Sequence, residues 1–197
     1  MNIKESFKLK DVFIIENDLH YDKRGCFSEL FRTEEFEKKT GLKIMQMNMS
    51  KSEPWTFRGM HMQKNFPQGK IVYCLDGQIV DFIVDCRKDS PTFGMHESYF
   101  LNGCDGLAVY VPPGFAHGFV ALDYSFITYN LNKTNQRLIT VMYMCTDIWH
   151  KDDEAGFKFD SKPDMKIGWT SNNDGVKFIV SEKDLALPPW EEFIKTL

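Results

Sequence analysis

The chain has 197 residues and a mass of 23.0 kDa, which suits one domain over residues 1–197 with a substantial core. Its composition, 43% hydrophobic and 26% charged, is that of a globular protein, and no apolar run is long enough for a signal peptide or a membrane span. A net charge of −4 and a pI near 5.7 give no basic surface for nucleic acid, so we expect a cytoplasmic protein that meets any anionic ligand with a few local cations.

The five cysteines are odd in number, widely spaced and without a C-x-x-C pair: Cys26, Cys74, Cys86, Cys104 and Cys145. Most of them stand in apolar contexts such as IVYCL and YMCTD. This pattern favours buried, reduced thiols in a cytosolic protein over a disulfide framework or a zinc site.

One helix is predicted early in the chain, where Thr33 can cap the segment EEFEKKT and Gly41 can end it. The other segments up to residue 145 predict β-strands, since they are short and rich in β-branched and aromatic residues. In chain order they are DVFIIE, CFSELF, KIMQMNMS, TFRGMHMQ, KIVYCL, QIVDFIVDC, HESYFL, LAVYVP, HGFVAL, SFITYNL and RLITVMYMC. The C-terminal part is richer in turn residues and ends in PPWEEFIK, a predicted short helix.

Two turns are predicted to join strands into hairpins. Asp76-Gly77 is a two-residue hairpin signal between KIVYCL and QIVDFIVDC, and residues 132–135 (NKTN) separate two further β-rich runs. Many short antiparallel strands at regular spacing indicate a sandwich or barrel. The predicted fold class is therefore all-β with a few short helices.

The strand KIMQMNMS has alternating side chains, with Gln46, Asn48 and Ser50 on one face and Met45, Met47 and Met49 on the other. If the methionines pack between two sheets, the polar face lines either solvent or a cavity. Its position one strand before FRGMHMQ favours the cavity.

The stretch FRGMHMQ holds Arg58 and His61 three positions apart, which regular pairing would send to opposite faces. Gly59 between them is a favoured occupant of a β-bulge, which adds one residue and restores both neighbours to one face. We therefore expect Arg58 and His61 to face one cavity, with irregular pairing near Gly59. The alternative is a surface arginine and a hydrogen-bonded core histidine.

A second stretch, VPPGFAHGF, matches the P-x-G-x-x-H pattern of the second cupin motif through Pro112, Gly114 and His117. Metal-binding cupins also need two histidines and a carboxylate from the first motif, where this chain offers His61 and then Gln63. Two histidines alone make a poor transition-metal site, so no metal is expected. A metal-dependent cupin oxygenase is the distant alternative.

Seven segments in order resemble the dTDP-4-dehydrorhamnose 3,5-epimerase family of nucleotide-sugar epimerases: DKRGCFSELF, QMNMS, FRGMHMQ, residues 68–94 (QGKIVYCLDGQIVDFIVDCRKDSPTFG), VPPGFAHGFVAL, YMCTDIW and SEKD. The resemblance implies a cupin jelly roll, a homodimer, no metal and no cofactor. It also implies a nucleotide-diphosphate 4-keto sugar as substrate, with protons removed and returned at the carbons beside the ketone.

The same resemblance assigns four catalytic roles. His61 matches the base, which must titrate near neutrality, and Asp184 matches the carboxylate that orients it. Lys70 matches the cation that stabilises the enolate oxygen. Tyr143 matches the acid that returns a proton from the opposite face of the sugar.

The remaining matched positions suit the rest of the substrate. Arg24 and Arg58 can offer forked donors to phosphate oxygens, while Gln46 and Asn48 can read a thymine, cytosine or uracil edge about equally well. By resemblance alone, the other substrate-contacting positions are Phe27 (an aromatic wall), Glu29, His117, Glu154 and Lys183.

The chain departs from the family pattern by a longer connection between His117 and Tyr143, which leaves Tyr129 nearer the usual separation. We keep Tyr143 because YMCTDIW matches the flanking sequence. The family's second aromatic pair appears here as Ile148-Trp149. These departures fall around the sugar pocket, so a 3-epimerase, a ketoisomerase and a catalytically silent nucleotide-sugar-binding module stay open as alternatives.

Overall fold

A computed structural model of the chain describes residues 1–103, 105–122, 138–165 and 177–197. Its strands are β1 (Asn2–Glu5), β2 (Phe13–Glu16), β3 (His20–Asp22), β4 (Gly25–Phe27), β5 (Gln46–Ser52), β6 (Phe57–Gln63), β7 (Lys70–Asp76), β8 (Gln78–Asp85), β9 (His96–Asn102), β10 (Leu107–Val111), β11 (Phe115–Ala121), β12 (Ile139–Cys145) and β13 (Glu154–Gly156). The helices are α1 (Thr33–Thr40), α2 (Glu182–Leu185) and α3 (Trp190–Phe193), with 3₁₀ turns at Lys151–Asp153 and Ile194–Thr196.

The described strands form two antiparallel sheets packed face to face. One sheet has the order β1-β2-β10-β7-β12-β5 and the other β13-β6-β11-β8-β9, while β3 and β4 form a separate hairpin. Each sheet buries one apolar face against the other sheet, which holds the two layers together. The predicted all-β jelly-roll fold is confirmed.

Three apolar clusters hold the layers together. The cluster between the sheets includes Val72, Val141 and Phe119, which are almost wholly buried. The outer face of the second sheet is covered by the C-terminal segment through Trp190, and the outer face of the first by α1 through Phe36. Burial of each such side chain contributes about 1.5–3 kcal/mol. The sheets therefore provide a rigid frame for the groups between them.

Helix α1 differs from the prediction by one residue at its start. Arg32 occupies the N-cap without a side-chain capping bond, and Thr33 is the first helical residue. The end is as predicted, because Gly41 takes a left-handed φ of 72° and its N–H donates to the carbonyl of Glu37. The predicted C-terminal helix is also present, as α3.

The hairpin predicted at Asp76-Gly77 is wrong. The turn is present, but it carries the chain from one sheet to the other: β7 pairs with β10 and β12, whereas β8 pairs with β9 and β11. Both strands have neighbours on each side, so neither offers an edge to the other. A local turn signal specifies the reversal of the chain and leaves the pairing partner open.

The methionine face of β5 also departs from expectation. Met45, Met47 and Met49 point outward and are 60–64% exposed, whereas Gln46 and Asn48 line a cavity. The methionines thus lie outside the inter-sheet core. The segment SFITYNL, the turn at residues 132–135 and Tyr129 lie outside the described residues.

The described cysteines Cys26, Cys74, Cys86 and Cys145 are free thiols, and all but Cys26 are buried. Within the described part of the chain, no helix combines the length and the apolar character needed to cross a bilayer. In the same part, no three His, Cys, Asp or Glu side chains are grouped so that they could hold a metal ion.

Candidate active site

The pairing of β6 with β11 is irregular where Gly59 stands. His61 lies opposite His117 and Arg58 opposite Phe119, so β6 uses three steps where β11 uses two. Gly59 has a φ of +123°, and a Cβ at this position would come within 2.6 Å of the Cα of Gly118. The bulge brings Arg58 and His61 to one cavity, as the sequence predicts.

Two adjoining cavities open between the sheets, with volumes of about 600 and 380 Å³. Three of the predicted catalytic residues line both: His61, Lys70 and Tyr143. The larger cavity adds the predicted site residues Arg58, His117, Lys183 and Asp184, and the smaller adds Gln46, Asn48 and Glu154. Ten of the thirteen predicted site residues therefore meet at this place.

His61 is held by a carboxylate from a distant part of the chain. Its Nε2 lies 2.8 Å from Oδ1 of Asp184, and Oδ2 of Asp184 accepts the N–H of Gly59 at 3.2 Å. Helix α2 places Asp184, because the hydroxyl of its N-cap Ser181 accepts the N–H of Asp184. Burial alone would raise the pKa of Asp184, but the hydrogen bonds and charge of its partners, chiefly His61, lower it overall.

A second carboxylate lies on the same side of His61. Oε1 of Glu154 is 3.7 Å from Nε2 of His61 and 2.8 Å from Nζ of Lys183. Burial raises the pKa of Glu154, but the bond from Lys183 and the neighbouring His61 lower it overall. Glu154 is thus held as an anion that links Lys183 to the imidazole.

His117 has its own buried carboxylate. Its Nε2 lies 2.6 Å from Oδ1 of Asp81, which is fully buried. Asp81 is not among the predicted site residues, although it is one of two aspartates, with Asp85, in the largely apolar run QIVDFIVDC. Because the carboxylate of Asp81 only accepts, Nε2 of His117 carries the ring hydrogen. Nδ1 is then the other polar atom of the His117 ring.

Lys70 and Tyr143 stand on neighbouring strands of the first sheet. Lys70 lines both cavities. Its ammonium makes no hydrogen bond or ion pair with any described residue, so it is available to a ligand. Burial lowers the pKa of Lys70, an effect that nearby Cys145, Glu154 and Asp81 partly offset. Burial also raises the pKa of Tyr143, which keeps its phenol protonated.

Arg58 is fixed by strand β5, since its guanidinium donates to the hydroxyl of Ser52 at 3.0 Å and to the carbonyl of Lys51. Trp149, not predicted as a site residue, lines the smaller cavity and donates its indole N–H to Glu154 at 3.2 Å. The sequence signal for Trp149 was the aromatic pair position in YMCTDIW.

Three predicted substrate-binding residues lie outside these two cavities. Arg24 pairs with Asp22 in the β3–β4 turn, Phe27 is 70% exposed, and Glu29 forms an ion pair with Arg32. Within one chain they do not meet His61, so their contact with substrate stays a prediction.

The assembled groups suit proton transfer at a carbon acid. An oriented imidazole can take a proton, a lysine ammonium can stabilise the oxygen that becomes negative, and a neutral phenol can give a proton. Arg58 and Lys183 add positive charge for an anionic substrate. This is the chemistry of a carbohydrate isomerase on a cupin-like fold.

The sequence matches the model of the family described as dTDP-4-dehydrorhamnose 3,5-epimerase over residues 6–192. A dTDP-4-dehydrorhamnose 3,5-epimerase of Methanothermobacter thermautotrophicus is 35% identical over 93% of this chain and 92% of its own length. The chain belongs to the dTDP-4-dehydrorhamnose 3,5-epimerase family.

Two solved structures that contain bound ligands are similar to this chain. The dTDP-6-deoxy-D-glucose-3,5-epimerase of Legionella pneumophila, in complex with dTDP-4-keto-L-rhamnose, has a TM-score of 0.80 and 31% identity over 95% of this chain and 92% of that one. The 3′-monoepimerase ChmJ of Streptomyces bikiniensis, in complex with dTDP-quinovose, has a TM-score of 0.75 and 27% identity over 90% and 83%. Both are similar to this chain in fold.

Proposed function

We propose that the protein epimerises a dTDP-linked 4-keto-6-deoxyhexose at both C3 and C5, without a metal or cofactor. The observation that carries this proposal is the hydrogen bond between His61 and Asp184, in a cavity shared with Lys70 and Tyr143. A binding module has no need for an oriented base, an enolate-stabilising cation and a protonated phenol in one place.

The proposed proton path starts from the hydrogen bond between His61 and Asp184. The carboxylate of Asp184 only accepts, so Nε2 of His61 carries the ring hydrogen and Nδ1 is free to take a proton from carbon. The electron pair of the broken C–H bond moves into the carbonyl, whose oxygen becomes negative beside Lys70. Tyr143 then gives its proton to the opposite face of the same carbon, which inverts that centre.

The diphosphate is expected beside Arg58 and Lys183, which line the larger cavity, and the nucleoside beside Gln46, Asn48 and Trp149, which line the adjoining smaller cavity. The ligand of the Legionella pneumophila enzyme supports dTDP as the nucleotide. A cytoplasmic location stays a prediction, in keeping with the four free cysteines described.

The homodimer is part of the proposal. The β3–β4 hairpin is exposed along its whole length and carries Arg24 and Phe27, which are otherwise without a role. In the proposed dimer, the hairpin of one copy packs on the second copy. Arg24 and Phe27, with Glu29, then reach the nucleotide site of that second copy. Light scattering coupled to size exclusion measures this, and a monomer at working concentrations would contradict it.

Incubation with dTDP-4-keto-6-deoxyglucose in D₂O tests the reaction. We expect deuterium at both C3 and C5, read by NMR of the product. Deuterium at one carbon alone would support the second candidate, a single-centre epimerase, which the similarity to ChmJ favours. A protein that binds dTDP and exchanges no substrate hydrogen would be a silent binding module.

A further inference from the structure

A chain of hydrogen bonds runs along the β5 side of the smaller cavity and takes no part in proton transfer. The backbone N–H of Trp149 donates to Oε1 of Gln46 at 2.8 Å, and Nε2 of Gln46 donates to Oδ1 of Asn48 at 2.9 Å. Nδ2 of Asn48 then donates to Sγ of Cys145 at 3.7 Å. The chain thus ends on a fully buried thiol.

The backbone N–H of Trp149 fixes the donor-to-acceptor direction of this series of hydrogen bonds. A backbone N–H can only donate, so the atom of Gln46 that it meets must be the oxygen, and Nε2 must face Asn48. Nε2 in turn must meet the oxygen of Asn48, which leaves the amide nitrogen of Asn48 for the sulfur. Neither amide can flip without setting two donors or two acceptors against each other.

The sheet register explains why Cys145 stands at the end of this series of hydrogen bonds. Cys145 lies directly opposite Gln46 on one neighbouring strand and Lys70 on the other, so its side chain shares their face. Burial raises the pKa of the Cys145 thiol more than Lys70 and the bond from Asn48 lower it. The group is therefore a neutral, weak acceptor next to the amides.

We propose that Cys145 is a positioning residue for nucleotide recognition, a role that rests on the function proposed above. Its sulfur holds the amide of Asn48, so Gln46 and Asn48 each keep one N–H for an acceptor oxygen of the nucleotide. Pyrimidine carbonyls and diphosphate oxygens both supply such acceptors. The backbone N–H of Trp149 sets the orientation of both amides, and the sulfur of Cys145 holds the amide nitrogen of Asn48 in place.

The test is calorimetric titration with dTDP. Cys145→Ala and Cys145→Val both remove the acceptor, and valine keeps the volume in case the smaller variant does not fold. We expect either to weaken dTDP binding about three- to tenfold, the value of one modest hydrogen bond, and Cys145→Ser, which can accept, to restore affinity to within about twofold. Cys74→Ala, a buried thiol of the same sheet bonded to the carbonyl of Gly77, is the matched control and should bind dTDP as the wild type does.

Titrations with thymidine and with inorganic pyrophosphate identify the acceptor. A loss confined to thymidine assigns the free N–H groups to the base, and a loss confined to pyrophosphate assigns them to the diphosphate; either supports the positioning role. The deuterium exchange rate of Cys145→Val at saturating substrate should stay within about twofold of wild type while KM rises.

Unchanged dTDP affinity in Cys145→Val would overturn the proposal. A fall in the exchange rate at unchanged dTDP affinity would also overturn it, because Cys145 would then act on its neighbour Lys70 and not on nucleotide binding. If the wild type exchanges substrate hydrogen and the Cys145 variants bind dTDP as the wild type does, the proposed function stands and only the positioning role is overturned. A wild type that does not bind dTDP would overturn both the positioning role and the proposed function.

Discussion

His61 and His117 lie directly opposite each other on β6 and β11, and each imidazole is hydrogen-bonded through Nε2 to its own carboxylate. The pairs differ in access: the His61 side chain is 26% exposed, whereas that of His117 is 9% exposed. Only His61 therefore has both the oriented ring and the open face that a base acting on carbon requires.

His61→Ala is expected to lower the rate of substrate hydrogen exchange about 10²- to 10⁴-fold, because the general base is lost. Affinity for dTDP should be largely retained, since His61 serves the sugar. His117→Ala is the matched control and should act mainly on KM. Exchange measured by NMR and binding measured by calorimetry separate the two effects, and near-normal exchange in His61→Ala would rule out this base.

Asp184→Asn should slow exchange and cost about 1–3 kcal/mol of unfolding free energy, because it disturbs buried bonds to His61 and Gly59. The pKa of Asp184 lies below its ordinary value of 3.8 in the folded chain. As the pH falls the unfolded chain binds the proton first, so this stabilisation is complete above that value and is lost as the pH falls through the folded pKa.

Urea unfolding of wild type and Asp184→Asn between pH 7 and pH 2.5 measures the effect. The stability difference between them should be constant near neutrality and shrink in acid. A difference that stays unchanged down to the lowest pH would mean that the ionised carboxylate contributes nothing.

Tyr143→Phe should uncouple exchange from inversion. His61 can still remove a hydrogen and return deuterium to the same face, so exchange continues while formation of the inverted sugar falls about 10²- to 10⁴-fold. Tyr129→Phe is the control, because Tyr129 is the alternative candidate for the acid. Normal inversion in Tyr143→Phe, with loss in Tyr129→Phe, would transfer the acid role to Tyr129.

The alkaline limit of kcat/KM should come from Lys70. Its pKa is lowered from the ordinary 10.5 by burial, whereas burial raises that of Tyr143 from 10.0. Because the two shifts run in opposite directions, we predict that loss of the Lys70 ammonium, and not of the Tyr143 phenol proton, sets the alkaline limit, which we expect below pH 10.5. In the activity that Lys70→Arg retains, the alkaline limit of kcat/KM should lie at higher pH. An alkaline limit that is unchanged in Lys70→Arg would contradict its assignment to Lys70.

Gly59→Ala should destabilise the fold strongly, by about 1–3 kcal/mol for the backbone conformation and more for the clash with Gly118. Gly25 has a similar φ of +135° with nothing within 4 Å of its Cβ position, so Gly25→Ala isolates the conformational cost. Thermal melting compares the two variants. Equal losses would mean that close packing of β6 on β11 at the bulge is unimportant.

Local sequence patterns predicted much of this molecule because they depend on neighbouring residues. The glycine between Arg58 and His61 predicted the bulge, and the alternation in QMNMS separated the polar face that lines the cavity from the methionine face. The same locality explains the failures. Asp76-Gly77 specified a reversal without its pairing partner, and the methionine pattern could not state which face of β5 meets the other sheet.

The sequence by itself determined which chemical groups are present and which of them share a face of a strand, since side-chain direction follows from the two-residue period of an extended backbone. Only the tertiary structure decided which faces meet. It brings Asp184 to His61 across 123 positions, joins Trp149 to Cys145 through two amides, and leaves Arg24, Phe27 and Glu29 outside the cavity. These placements depend on sheet order and register, which are set by the burial of whole sheets and not by any short segment.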